Sequence, residues 1–303
     1  MNRFITLVLL ALVASLVTLS VCAKQPQQQA TETRQLNVQF ANGNSQQYSI
    51  PQGTRLATIF SSLQPLATQA GDFDWAATRL GSTQLQYQLQ GLLEQTQQQL
   101  NRIQHYARGN DNRELANAAQ QLQQQLNHSQ FFASYYLGIP WHSMRLQQQN
   151  NPQLNDTHSS NTFTLMFAQR SNAIEVFGLT QNPHRRSLQS AAQDNSVQAL
   201  LKQHPRQPQA ETSYVWQINL NGAVAHRPVA NYNQHQLAQC YEHDRRQPLA
   251  LTAAKDCRVP QQLSGGSLLY IGLDESELPD HLRGINTLMV RLLKHYHPAG
   301  PTQ

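Results

Sequence analysis

"RQLNVQFANGNSQQYSIPQGTRLATIF", residues 34–60, decides the fold. Apolar and polar residues alternate through "LNVQF", a turn follows at "NGN", and alternation resumes in "QQYSI". "PQGTRLATIF" then reads as a turn feeding a helix, so the stretch is a hairpin followed by a helix. A two-stranded hairpin is marginal in water and needs a cover. The helix around Leu56, Ile59, Phe60 and Leu63 is the available one, and this is how a β-grasp unit begins.

Working outward, Leu85, Leu89, Leu92, Leu100, Ile103 and Tyr106 recur at helical spacing, "RGNDN" breaks the run, and Leu115, Ala119, Leu122 and Leu126 line a second helix. That predicts an antiparallel helical hairpin. Glutamine is abundant here, but stripes at the right period argue against a disordered, low-complexity reading. From Phe163 the period returns to two: "TFTLMFAQR", "AIEVFGLT", a polar stretch with a short helix at "SVQALLKQ", "SYVWQINLNGAVAHRPVANY" with a hairpin turn at "NLNG", and "SLLYIGL". Two strands, a helix, a hairpin and a last strand make a second unit of the same kind.

The predicted fold is therefore α+β: two β-grasp-like domains with a helical-hairpin insertion and a C-terminal amphipathic helix. Residues 33–155 form the first domain, with the insertion at about 78–130, and residues 156–275 form the second, with a loop at 233–264. The amphipathic helix occupies 276–298.

The N-terminus, "FITLVLLALVASLVTLSVCA" behind Arg3, reads as a signal peptide. Val21 and Ala23 fit the small-residue rule for cleavage after residue 23. Lipidation at Cys22 is the lesser alternative, because "LSVC" places Val21 where Ala or Gly is favoured. An exported chain keeps Cys240 and Cys257 in an oxidising compartment, which predicts a disulfide between them. His235 and His243 lie nearby, but their spacing is irregular for zinc, and no metal or cofactor is expected. The formal charge of +5 is scattered, with no basic stripe for nucleic acid.

No nucleophile elbow, metalloprotease helix, P-loop or dinucleotide fingerprint is present. Asp72 and Asp74 share one short segment, unlike a glycosidase pair on separate supports. "YYLGIPWHSMRLQQQNNPQL" offers Tyr135, Trp141 and Arg145 as a glycan- or partner-binding surface. Packing of the two aromatics at a junction is the competing reading. In the C-terminal stretch Leu282, Ile285, Leu288, Met289 and Leu292 make an apolar face. That face can dock on the protein's own β-domain, on a partner, or line a pore with copies of itself.

The order of these features resembles the GfcC family (WbfB-like members included) of capsule and O-antigen-capsule biosynthesis proteins. The resemblance is carried by "MRLQQQNNPQL", "SYVWQINLNGAVAHRPVANYN" and "LLYIGLDESELPDHLRGINTLMVRLLKHYHP". It implies a periplasmic protein whose β-grasp domains are related to the polysaccharide exporter Wza. The implied role is assistance in surface-polysaccharide assembly or export without catalysis, through contact with the polysaccharide or with outer-membrane export proteins. Tyr232-Asn233 departs from the family's Trp-Asn, as does the cysteine-bearing insertion. A monomer is expected, with membrane contact confined to the C-terminal helix. The alternatives are a periplasmic glycan-modifying enzyme and a pore-forming export subunit.

Overall fold

The computed structural model describes residues 32–146, 151–154, 161–169, 171–181, 184–187 and 194–297. Residues 1–23, read above as a signal peptide, and with them Cys22, lie outside the described residues. The architecture is α+β.

Strands β1 (Thr33–Gln39) and β2 (Ser45–Pro51) pair antiparallel across the 40–44 turn. Helix α1 (Leu56–Gln69) follows and buries Leu56, Ile59, Phe60, Leu63 and Ala67. No side chain of its own caps it. Instead Asn151 Oδ1 accepts from Ala57 N–H at 2.9 Å and Pro152 O from Leu56 N–H at 3.0 Å, satisfying donors that a helix start leaves open. The "NNP" segment thus closes the first sheet's helix.

Strand β3 (Arg79–Ser82) leads into α2 (Thr83–Gly109), with Ser82 Oγ accepting from Leu85 N–H. Helix α3 (Arg113–Asn127) returns antiparallel, capped by Asn112. The expected stripes are buried except Tyr106, which is exposed. Strands β4 (Gln130–Phe131) and β5 (Tyr136–Leu137) and the short helix α4 (Trp141–Leu146) come next, then β6 (Thr162–Met166). The first sheet has the order β2-β1-β6-β3-β5, with β6 parallel to β1 and antiparallel to β3.

This corrects the reading of "TFTLM" as the opening strand of a second unit. Phe163 and Leu165, 1% and 0% exposed, fill the middle of the first sheet. The second sheet begins with β7 (Ala173–Gly178) and β8 (His184–Ser187), followed by α5 (Val197–Gln203). Then come β9 (Tyr214–Ile218), β10 (Val224–Pro228), β11 (Ala238–Glu242), β12 (Thr252–Cys257) and β13 (Leu268–Ile271). Its order is β12-β11-β10-β9-β13-β7-β8, with β13 parallel to β7 and antiparallel to β9. In both sheets a hairpin is followed by a helix, and the last strand enters between the first and third, parallel to the first. The second sheet is extended at one edge by β11–β12, where Cys240 and Cys257 form the disulfide, Cα atoms 5.9 Å apart.

Glutamines fasten the helical hairpin. Gln125 accepts from Gly178 N–H at 2.8 Å and donates to Gly178 O at 2.9 Å, pairing with both backbone groups of one β7 residue as a neighbouring strand would. Gln121 donates to the carbonyls of Gly178 and Thr180. Gln86 spans Phe131 O and Ala133 N–H. A side-chain amide carries both a donor and an acceptor, so it can replace a peptide group without bringing charge into a half-buried seam.

The C-terminal segment is shorter as a helix than its sequence suggests. A 3₁₀ turn (Asp280–Leu282) precedes Gly284, whose φ of +91° suits glycine, and α6 covers only Ile285–Leu293. Nine residues reach about 13.5 Å, less than half the hydrocarbon thickness of a bilayer. Among the described residues no helix is long and apolar enough to cross a membrane. Glu275 caps α6, accepting from Gly284 N–H and Asn286 N–H at 2.8 and 2.7 Å. Leu282, Ile285, Met289 and Leu292 are at most 2% exposed and Leu288 is half-buried, with α6 seated on α2 and β9. The chain then forms β14 (Tyr296–His297), antiparallel to β4.

Candidate functional site

A groove of about 600 Å³ separates the two sheets. One wall is Ala76 and the residues after β5, Gly138, Ile139 and Pro140. The other is Gln217, Asn219, Leu220 and Asn221 at the β9–β10 turn, with Pro260, Gln262 and Ser264. Gly138, Pro140 and Asn221 also border a second recess of about 270 Å³ lined by Tyr136, Glu242, His243 and Arg245, so the two share a wall.

The β9–β10 turn is held close to the first sheet. Gly222 has φ +77°, and a Cβ there would lie 2.5 Å from Leu137 Cδ1, so a larger residue would clash as well as strain the turn. Gln217 near the end of β9 and Asn219 and Asn221 in the turn that follows all line the groove. Gln217 Nε2 donates to Asn219 Oδ1 at 3.0 Å, and Gln217 Oε1 accepts from Arg227 at 3.1 Å. Asn221 Oδ1 accepts from Ala223 N–H at 3.1 Å. These bonds fix the amide orientations before any ligand arrives. At the other end the Arg245 guanidinium lies 4.3 Å over the Tyr136 ring, a cation–π contact.

His243 closes the floor. Its Nε2 faces Tyr135 O at 2.9 Å, and a carbonyl accepts only, so Nε2 carries the proton. Its Nδ1 is buried with no partner. Burial first, then the Lys294 charge, lowers its pKa to about 4. Below it lies His295, fully buried. Ser134 N–H donates to its Nδ1 at 3.2 Å, which leaves Nε2–H to donate to Pro248 O at 3.0 Å. Burial, followed by the Lys294 charge, holds its pKa well below the usual value. Lys294 donates to Pro248 O and Ala250 O, and Arg291 to Leu249 O, so the C-terminal segment grips the loop between β11 and β12. This packing puts His295 and His297 beside the junction of the sheets.

The residues singled out from sequence do not converge on the groove. Trp141 is buried, stacked on Trp75 at 4.9 Å and edge-on to Phe60. Tyr135 is buried with its hydroxyl 2.8 Å from Ser82 Oγ. Arg145 is exposed, 5.8 Å over the Trp141 ring. The groove amides were missed, although "QINLN" carries them at every second position.

Chemically, the groove offers neutral amide donors and acceptors along one wall and, in the adjoining recess, the Arg245 guanidinium, Glu242 and a buried, neutral His243. Glu242 is the only carboxylate among its lining residues and pairs with Lys255, whereas two-carboxylate glycoside hydrolysis needs an opposed pair. Among the described residues no group of three His, Cys, Asp or Glu could hold a metal ion. The chain matches no protein-family model, and no curated protein matches it.

Proposed function

We propose that the chain is a periplasmic, non-enzymatic accessory protein of capsule or O-antigen assembly or export, and that it acts by holding saccharide in the groove between its sheets. The observation that carries this reading is the amide wall of Gln217, Asn219, Asn221 and Gln262. Sugar hydroxyls both donate and accept, and so do amides. Pre-oriented amides lose little freedom on binding.

We further read both sheets as β-grasp units, the first carrying the helical hairpin as an insertion. Support comes from the common strand order, in which the last strand lies between the first and third and parallel to the first. It fits the resemblance to the GfcC family and to the β-grasp domains of Wza. Against the pore alternative, α6 is short and its apolar face is covered among the described residues.

Saturation-transfer NMR with neutral glucose, galactose and N-acetylglucosamine oligosaccharides tests the groove. Asn219→Asp and Asn221→Asp keep the Oδ1 acceptors that hold the turn and remove the Nδ2 donors. Each should weaken binding about fivefold or more, as for the loss of one hydrogen bond. Absence of transfer to the wild-type chain, or unchanged affinity in both variants, would reject saccharide binding at this groove.

A further inference from the structure

Asn219 and Leu220 also wall a third, more enclosed cavity of about 50 Å³ on the junction of the sheets. Arg79, Glu175, Ser267, Lys294 and His297 line it. Arg79 comes from β3 and is only 6% exposed. Its guanidinium has five N–H donors, yet it makes a single long hydrogen bond, from Nη1 to His295 O at 3.4 Å. It forms no ion pair, although Glu175 is on the same wall.

A buried cation left without a carboxylate is costly. A second buried cation, Lys294, adds to the imbalance, while His297 beside it is neutral at neutral pH. Lys294 is 3% exposed and bonded only to two carbonyls. His297 is half-buried, with its pKa lowered to about 4 by burial and then by Arg79. Burial alone draws Arg79 down to about 10, so it remains charged at neutral pH. The planar fork matches a carboxylate or phosphate edge.

We propose that this cavity is an oxyanion site, in which Arg79 binds a carboxylate or phosphate group and Lys294 adds to the positive field. The site stands on its own geometry, whether or not the adjoining groove binds neutral saccharide. A free anion and an acid group borne on a sugar would present the same chemistry to Arg79.

Thermal unfolding of the chain in phosphate, acetate, galacturonate and, as the uncharged control, glucose tests the proposal, with chloride adjusted to keep total salt equal. At least one anion should raise the midpoint by about 5 °C at a hundredfold excess over its Kd. Glucose should not raise it, and the rise should disappear in Arg79→Gln. A response to galacturonate alone identifies a sugar acid as the source, and a response to phosphate or acetate identifies the small ion. No rise with any anion, or an equal rise in Arg79→Gln, overturns the site. Should Arg79→Gln not fold, the Nε–Hε resonance of Arg79 in the wild-type chain decides: it should move on adding the same anions, and a stationary signal overturns the site.

Discussion

The two sheets follow one path through space and fasten their additions in opposite ways. In the first, the extra chain is a helical hairpin between β3 and β5, and it is tied by uncharged side-chain amides to β7 and to its own outgoing strand. In the second, the extra chain is a β-hairpin that pairs with β10 and carries a disulfide. A helical addition has satisfied its own backbone and needs only surface contacts to be placed. A strand addition extends the sheet, but leaves a new edge. The exposed Lys255 and Glu242 on β11 and β12 put charge along that edge, a feature that discourages further pairing. His295 joins the two additions, bonded to Ser134 beyond the helical hairpin and to Pro248 within the disulfide hairpin.

Acidification should break that comparison most strongly. His243 and His295 have pKa values below the unfolded value of about 6.5. The stability they contribute is complete above that pH and lost as pH falls toward their folded values, about 4 for His243. Each costs about 1.4 kcal/mol per pH unit in that window, so these two alone should make the stability in urea unfolding about 2 to 4 kcal/mol lower at pH 5 than at pH 7, and His226 and His297, also lowered to about 4, add to the loss. A flat profile would mean that none of these histidines is buried neutral. Replacing both Cys240 and Cys257 by alanine should cost about 3 kcal/mol for a 17-residue separation, and hydrogen exchange should locate the loosening in β11 and β12. Equal loosening of β7 would show that the disulfide addition is not an independent fastening. Gln125→Ala should cost about 1 to 3 kcal/mol by leaving Gly178 N–H unpaired, with exchange rising at α3 and β7. If the loss matched that of the disulfide variant, amides and covalent bond would be equivalent fastenings.

Much of the fold was legible because its signals are local. The β1–β2 hairpin, α1, both long helices and the "NLNG" turn each show their period and their punctuation within a few residues. Strand β6 was misplaced because its pairing with β1 is parallel and joins residues 35–39 to 162–166; nothing in "TFTLM" names its sheet. Strand β8 was hidden in "HRRS", an edge strand with no apolar alternation. The helical period of 278–298 runs across Gly284, so periodicity overstated the helix until the left-handed turn was seen. The site was less legible. Aromatics drew attention to Trp141 and Tyr135, but large aromatic side chains serve cores as readily as ligands. Arg79 lies in a four-residue strand whose environment is assembled from the far C-terminus.

The glutamine seam has a consequence for the medium the protein can tolerate. Raising salt from 0.01 to 1 M shortens the Debye length from about 30 to about 3 Å and strips much of the attraction from exposed ion pairs. Gln86, Gln121 and Gln125 bring no net charge to be screened. The helical hairpin therefore keeps its hold on β7 in dilute and in concentrated electrolyte alike, while any anion held at Arg79 would feel the difference.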